Sequence, residues 1–244
     1  MENSGQNWLR FALVVLSAVA MLIALAMALR YAPRETTMGD VQRIFYFHVA
    51  SAWVGFFAFF VTFLAGVGYL SRGNRQWDIV AFSSVEIGLT FITMTVITGA
   101  LWARPVWGTY WTWEPRLTIS AVQLLIYIAC IMLRAAIDSP ERKARFAAVY
   151  GIVAFVTVPL SWFAIRWWRT IHPTIMGGSE GMAITPRMVQ TLVVSLGAFS
   201  LLYVTLLLAR VRLEWSVDSL ARLRLRVERK IKESAQVADG NVGL

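Results

Sequence analysis

Charged residues are scarce in this sequence. Only 15% of its 244 residues are Asp, Glu, Lys or Arg, whereas a soluble domain carries about 25%. Hydrophobic residues make up 58%. This balance argues against an ordinary soluble domain and indicates that a lipid bilayer is the main solvent of the chain. Nothing in the composition suggests a second large folded domain, so we expect one compact bundle.

Cysteine is almost absent as well. Cys130 is the only one, and it lies within an apolar run. A single cysteine excludes an internal disulfide. We therefore interpret Cys130 as a small apolar packing residue.

Six apolar runs are long enough to cross a bilayer, which takes about 20 helical residues. They are Leu9–Leu29, Val49–Leu70, Ile79–Trp102, Leu117–Leu133, Phe146–Ile165 and Met188–Ala209. The runs are too long and too continuous for β-strands, and backbone polar groups must be paired inside lipid. The sequence therefore predicts an all-α integral membrane protein, a bundle of six transmembrane helices.

The basic residues orient this predicted bundle. The chain has a net charge of +9 from 23 basic and 14 acidic residues. Fifteen basic residues fall on the side of the two termini and eight on the other side, so the positive-inside rule places both termini in the cytoplasm. Without the C-terminal tail the balance is seven against eight, so the tail decides it. Because the basic residues are spread over several loops and one tail, we do not expect nucleic-acid binding.

The C-terminal tail forms the second predicted region. We divide the chain into a transmembrane domain, residues 1–209, and a basic cytoplasmic tail, residues 210–244. The tail has an apolar helical stripe that is interrupted by Arg224, and we predict disorder beyond Ala235. Docking to a partner, binding to a lipid surface and a solvated basic helix all remain open for it. Its apolar stripe consists of Leu213, Val217, Leu220, Val227 and Ile231.

Tryptophan is concentrated in the third predicted loop, residues 104–118. Four large aromatic residues occur within seven positions there, and an acid and a base follow: Trp107, Tyr110, Trp111, Trp113, Glu114 and Arg116. Aromatic rings offer a flat apolar surface for a planar ligand, and Gly108 permits a close approach of backbone and ligand. The alternative is an aromatic belt at the lipid interface, although a belt is usually scattered over several helix ends.

The only two histidines, His48 and His172, fall in the first and fifth predicted loops, on the same side as the tryptophan loop. Two neutral imidazoles can bind one haem iron axially. Simple hydrogen bonding is the alternative role. The chain has no Cys-x-x-Cys-His motif for covalent haem attachment. Guanidinium groups match carboxylate geometry, so the candidate partners for haem propionates are Arg43, Arg104, Arg116, Arg166 and Arg169.

These motifs together resemble a known family. Residues 107–118, Trp-Gly-Thr-Tyr-Trp-Thr-Trp-Glu-Pro-Arg-Leu-Thr, look like the tryptophan-rich "WWD" signature of haem-handling proteins. With six spans, Arg43-Ile44-Phe45-Tyr46-Phe47-His48 and Trp167-Trp168-Arg169-Thr170-Ile171-His172, the chain resembles the cytochrome c maturation protein C (haem exporter protein C) family over roughly residues 40–210. One position departs from the pattern, because Glu114-Pro115 stands where the family usually has Asp-Ala.

The resemblance implies a specific function. Proteins of this family hold haem b, bound non-covalently and transiently, at the periplasmic face of the bacterial inner membrane. They deliver it to a periplasmic haem chaperone, maturation protein E, and act with the ABC-type maturation proteins A and B and the small maturation protein D during cytochrome c biogenesis. The resemblance implies that His48 and His172 are the axial ligands. It also implies that the signature loop contacts haem through Trp107, Gly108, Trp111, Trp113, Glu114 and Arg116.

Two other functions fit part of the pattern. A haem transporter would need polar groups along a path inside the bundle, and the predicted spans hold few charges beyond Glu86. A haem-containing electron-transfer protein would need ligands inside its helices, whereas both histidines are predicted near one surface. We therefore favour a haem-binding and haem-delivery protein, not an enzyme. The role of Glu86 stays open, since an acid within a span is either functional or shallow enough to reach the headgroups.

Overall fold

The computed structural model describes residues 4–168, 170–172 and 184–241, and six of its helical stretches are long and apolar enough to cross a membrane. This confirms the predicted all-α membrane bundle. Its helices are α1 (Ser4–Ala26), α2 (Ile44–Arg72), α3 (Arg75–Trp107), α4 (Pro115–Ala135), α5 (Pro140–Ala154), α6 (Thr157–Trp167) and α7 (Pro186–Asn241). α1 continues into a π-helical turn, Met27–Tyr31, and a 3₁₀ turn, Asp40–Arg43, precedes α2.

Short polar signals end one helix and begin the next. α2 ends at Gly73, whose φ of 64° is the left-handed conformation that glycine adopts freely. Asn74 then caps α3 by accepting a hydrogen bond from the Gln76 backbone N–H at 2.9 Å. Such tight turns make successive helices antiparallel. The end of the bundle that carries His48 and the tryptophan loop is called the histidine end, and the opposite end the tail end.

The fifth span is made of two helices rather than one. α5 ends at Ala154 and α6 begins at Thr157, two residues before Pro159. Proline has no N–H, and its ring clashes with the carbonyl four residues earlier. The helix is therefore interrupted at Phe155 and Val156.

α2 and α3 pack closely at the centre of the bundle. A Cβ atom on Gly88 of α3 would lie 2.7 Å from Phe59 Cε1 and 3.0 Å from Ala58 Cβ. Phe59 is fully buried, and its ring stacks on that of Tyr127 in α4 with centroids 3.5 Å apart. Gly88 thus sets the distance between α2 and α3, and the packed rings leave no space for a larger residue.

We expect Gly88→Ala to destabilise the bundle by about 1–3 kcal/mol, because a methyl group there forces Phe59 or the helices to move. Gly197→Ala is the matched control, since it is also a helical glycine and its added Cβ meets nothing within 4 Å. The control should be neutral or should gain up to about 1 kcal/mol from helix propensity. Unfolding of both variants in denaturing detergent checks this, and equal stability would contradict the packing argument.

A buried ion pair joins α3 and α4 at the tail end. Arg134 donates two hydrogen bonds to the Asp78 carboxylate, at 2.5 and 2.9 Å. Asp78 is 2% exposed and Arg134 8%, and Arg75 also pairs with Asp78. Asp78 was overlooked in the sequence because it precedes the predicted span Ile79–Trp102 by one residue.

The root of the tail is attached to this end of the bundle. Arg210 of α7 pairs with Glu86 of α3 at 2.7 Å. Asp218, two turns further along α7, lies 3.4 Å from Arg75. Glu86 therefore connects α3 to the base of α7.

Two sequence-based boundaries were wrong. The tryptophan loop is shorter than predicted, because α3 extends to Trp107 and only residues 108–114 are non-helical. His48 lies within α2 rather than in the preceding loop, since the apolar residues before it extend the helix toward Ile44.

Candidate functional site

His48 lies on the second turn of α2 and faces α3. Its Nδ1 is 3.2 Å from the Thr98 hydroxyl oxygen. The Thr98 hydroxyl donates its own proton to the Met94 carbonyl at 2.7 Å, so its oxygen serves as acceptor for the histidine. A proton on Nδ1 leaves the lone pair on Nε2. Thr98 of α3 thus favours the tautomer of His48 in which Nε2 can bind a metal.

Gly99, the neighbour of Thr98, provides space for this ring. A Cβ on Gly99 would lie 3.0 Å from Cε1 of His48 and 3.5 Å from its Nδ1. The contact with Cε1 is tighter than ordinary van der Waals packing. A glycine at this position therefore allows the imidazole to pack directly on the α3 backbone.

His172, from the segment after α6, lies beside His48. The two ring centroids are 6.4 Å apart and the ring planes are inclined by 35°. Metal–imidazole nitrogen bonds are about 2.0–2.1 Å in zinc sites. With bonds of that length on opposite sides of one metal, the ring centres would be about 6–6.5 Å apart. The two rings therefore have the separation that bis-histidine ligation of one iron requires.

Glu114 connects the tryptophan loop to the segment that carries His172. It is the N-cap of α4, where its carboxylate accepts a hydrogen bond from the Leu117 N–H at 2.8 Å. Its second oxygen accepts a short hydrogen bond from the Thr170 hydroxyl. The Thr170 oxygen in turn accepts from the His172 N–H at 3.1 Å. An acidic residue at position 114 thus both caps a helix and fixes the approach of His172.

Pro115 fits this arrangement. It occupies the first position of α4, where a backbone N–H would have no helical partner and where the fixed φ of proline favours the helix. The departure from the family pattern at Glu114-Pro115 is therefore compatible with the fold.

The tryptophans do not form one flat platform. Trp107 packs edge-to-face on Trp102, with centroids 5.2 Å apart, and Trp111 on Trp113 at 5.8 Å. Trp113 is 79% exposed. The indole N–H of Trp111 is buried and has no hydrogen-bond partner among the described residues. The loop thus offers an exposed ring and a buried donor, which suits a ligand with both apolar and polar parts.

Arg116 lies at the histidine end of the bundle, half-buried on the first turn of α4. One of its guanidinium nitrogens donates to the Ser161 carbonyl at 3.0 Å.

Arg43 makes several contacts within the fold. Its guanidinium donates to the carbonyls of Ala28, at 2.8 Å, and Leu29, which belong to the π-helical turn after α1. It also pairs with Asp40 at 3.0 Å. These contacts tie α1 to the start of α2 at the histidine end and engage Nε and one of the two terminal nitrogens of the guanidinium.

The other predicted arginines are more peripheral. Arg104 is exposed, donates to the Gly108 carbonyl and lies over the Tyr110 ring, 5.6 Å from its centroid. Gly108 has a φ of 75°, so glycine is required at the turn after α3. Arg166 is exposed at the end of α6. Arg169 lies outside the described residues.

Comparison with known proteins places this architecture in a family. A family model described as "Heme exporter protein C" matches residues 3–226. The chain belongs to the haem exporter protein C family. It is 33% identical to "Heme exporter protein C" of Bradyrhizobium diazoefficiens over 237 residues, which are 97% of this chain and 86% of that protein. It is 31% identical to "Heme exporter protein C" of Escherichia coli K12, over 82% of this chain and 81% of that protein.

Three residues that contact the two histidines were not predicted from the sequence of this member of the haem exporter protein C family. Thr98, Gly99 and Thr170 surround the two histidines, but none carries a distinctive motif. Thr98 and Gly99 are about fifty residues from His48 and meet it only because α2 and α3 are antiparallel. The signal that could have found Thr170 is its place two residues before His172.

Proposed function

We propose that this chain binds haem at the histidine end of the bundle, between His48 and His172, as part of cytochrome c biogenesis. The separation of the two imidazoles, 6.4 Å between centroids, is the observation that carries the proposal. Haem supplies an iron with two axial positions that accept imidazole nitrogens. The names of the relatives, "Heme exporter protein C", support the same cargo.

The surrounding residues have distinct roles in this proposal. Trp111, Trp113 and Trp107 supply aromatic surface for the macrocycle, with Gly108 shaping the turn between them. Arg116 provides positive charge for a propionate. Glu114 acts through Thr170 to position His172. Arg104 and Arg166, both exposed, and Arg169 are further candidates for the second propionate, and so is Arg43 through its second terminal nitrogen.

Haem would be cargo rather than a permanent cofactor. The chain has no cysteine near the histidines, because Cys130 lies in the half of α4 toward the tail end, so haem b would be held without a covalent bond. Its release would need the two axial nitrogens to exchange for those of a receiver. We propose that this chain is a haem-delivery protein and not an enzyme.

The setting follows from the resemblance and the charge pattern. We propose that the protein resides in the bacterial inner membrane with the histidine end facing the periplasm and both termini in the cytoplasm. There the histidine end would pass haem to the periplasmic chaperone, maturation protein E, and the bundle would assemble with the ABC-type maturation proteins A and B and the small maturation protein D. The eight arginines predicted on the outer side are consistent with an anionic ligand.

The direct test is the absorption spectrum of the full-length protein, purified in mild detergent from cells that make haem. We expect bound haem with the low-spin spectrum of two imidazole ligands, extractable into acidic organic solvent because no covalent bond holds it. Protein that is folded but neither carries haem nor acquires it on titration with haem would contradict the proposal.

We expect Thr98→Val to weaken haem binding by about 10–100-fold, because partners that fix the tautomer of a metal-binding histidine have effects of this size. Thr93→Val is the matched control, since Thr93 also lies on α3 and donates to a carbonyl one turn back, at 2.7 Å to Leu89. Haem titration of both variants checks this. Equal affinities for both would show that Thr98 does not set the state of His48.

A further inference from the structure

The part of α7 that leaves the bundle has one side that faces the bundle. Four of its residues are partly buried, and their spacing of three, one and three positions places them on one side of the helix. They are Val211, Glu214, Trp215 and Asp218. Asp218 lies 3.4 Å from Arg75 at the start of α3, and Glu214 pairs with Arg210, which also pairs with Glu86. These contacts fix which side of the tail is turned toward the bundle.

The apolar stripe of the tail lies on the opposite side. Its residues, Leu213, Val217, Leu220, Val227 and Ile231, are each 53–66% exposed. At about 100° per residue, the stripe points about 150° away from the four partly buried residues. Its spacing of four, three, seven and four positions is the heptad pattern with which one helix packs against another. Within the described part of the chain, the stripe is therefore a helix-packing surface that the bundle does not cover.

The direction of the tail separates most of this stripe from the lipid surface. α7 continues from its span through Ile231 as one helix, without proline or glycine after Arg210. At 1.5 Å per residue, Leu220 lies about 15 Å and Ile231 about 32 Å beyond Arg210 along the helix. A helix that binds a lipid surface instead lies in the plane of the interface. Since the root of the tail is held to the bundle by ion pairs, the stripe extends away from the membrane.

The charge of the tail selects the kind of helix that fits this surface. Residues 211–232 include seven basic and three acidic residues, a net charge of +4. Arg224 lies in the middle of the stripe, where its side chain is 82% exposed and pairs with Glu228 at 2.9 Å. A second copy of the tail would bring like charges together, with Arg224 against Arg224 in a parallel pair, and like charges across an interface oppose binding. An acidic helix would instead meet opposite charge along the whole stripe.

We propose that the apolar stripe of the tail binds an amphipathic helix of another protein on the tail side of the membrane, with apolar residues flanked by Asp or Glu. The apolar side chains of the two helices would pack together at heptad spacing. An acidic side chain of the partner would pair with Arg224, whose exposed pair with Glu228 is of a weak kind. This inference goes beyond the proposed haem function and does not depend on the histidine pair.

Photo-cross-linking of the full-length protein in the cells that naturally make it tests the docking surface. Leu223 and Leu225 are a matched pair, since they are 54% and 65% exposed and lie about 200° apart around the helix, with Leu223 at the edge of the stripe. A photoreactive phenylalanine derivative is placed at either position, and the attached peptide is identified by mass spectrometry. We expect several-fold more cross-linking from position 223, to an acidic amphipathic segment of another protein. Adducts only with lipid or with a second copy, or equal yields from the two positions, would overturn the proposal.

Binding of a synthetic helical peptide to the purified full-length protein provides a second measurement. The peptide carries leucines at heptad spacing flanked by glutamates, and a second peptide carries lysines in place of the glutamates. We expect Leu220→Gln and Arg224→Glu each to weaken binding of the glutamate peptide by at least about tenfold. The controls Leu225→Gln and Arg226→Glu, on the other side of the helix, should change it little.

Equal affinities for all four variants, or tighter binding of the lysine peptide, would overturn the proposal. Haem titration of Leu220→Gln should match that of the unmodified protein, because the substitution lies at the tail end. The outcome for the tail is thus separate from the outcome for the haem site.

Discussion

Replacing both His48 and His172 with alanine is expected to abolish haem binding by this protein. The two imidazoles are the only histidines in the sequence, and each supplies one of the two axial positions in the proposed site. Loss of both should weaken binding by more than the roughly 10–100-fold expected for a residue that only supports a ligand. The measurement is a haem titration followed by absorbance, with the two single variants beside the double variant.

Free imidazole separates loss of ligands from loss of structure. If the double variant is folded, added imidazole should occupy the vacated axial positions and restore a spectrum with two nitrogen ligands. Circular dichroism and gel filtration should match the unmodified protein. A double variant that keeps its haem and an unchanged spectrum would refute the assignment of both ligands, because no other histidine could replace them.

Arg134→Ala is expected to destabilise the bundle by about 3–5 kcal/mol, because it leaves the Asp78 carboxylate buried with a reduced set of partners. Asp78 is 2% exposed, and two of its hydrogen bonds come from Arg134. Arg75 still contacts Asp78, which should keep the loss nearer the lower value. Unfolding in denaturing detergent measures the change.

Two control variants test whether the buried charge of Asp78 causes the loss of stability. Arg142→Ala removes an exposed arginine at the same end of the bundle, and its effect should stay within about 0.5 kcal/mol. The double variant Asp78→Asn plus Arg134→Met removes both charges, so it should recover much of the lost stability. If Arg134→Ala and Arg142→Ala lowered the free energy of unfolding equally little, the Asp78–Arg134 ion pair would not stabilise the bundle.

The transmembrane helices could be predicted well because hydropathy is a local property. Every predicted span falls within a helix or helix pair of the structure, and the errors lie at the ends. His48 was assigned to a loop because the predicted span began at Val49, yet the aromatic residues before it continue α2 toward Ile44. The tryptophan loop was predicted too long because helix ends depend on capping by residues such as Gly108 and Glu114.

The candidate site could be predicted only in part. Residue type identified the histidines and the tryptophan loop. Their positions in the first, third and fifth predicted loops, which lie on the same side of the membrane, placed them at one end of the bundle. Their ligand roles remain predictions. The order of the loops could not show that Arg43 donates hydrogen bonds to the carbonyls after α1. Nor could it show that Glu114 accepts a hydrogen bond from Thr170, because such contacts depend on how separate helices pack.

The tryptophan and histidine motifs show what each level of structure decides. The sequence by itself determined that the chain lies in a membrane as six helices and that its scarce histidines accompany an unusual aromatic loop, because composition and hydropathy act residue by residue. Tertiary structure alone decided that the two imidazoles are 6.4 Å apart and that Thr98 and Gly99 support His48. Those facts depend on the packing of antiparallel helices, which brings residues that are far apart in the chain into direct contact.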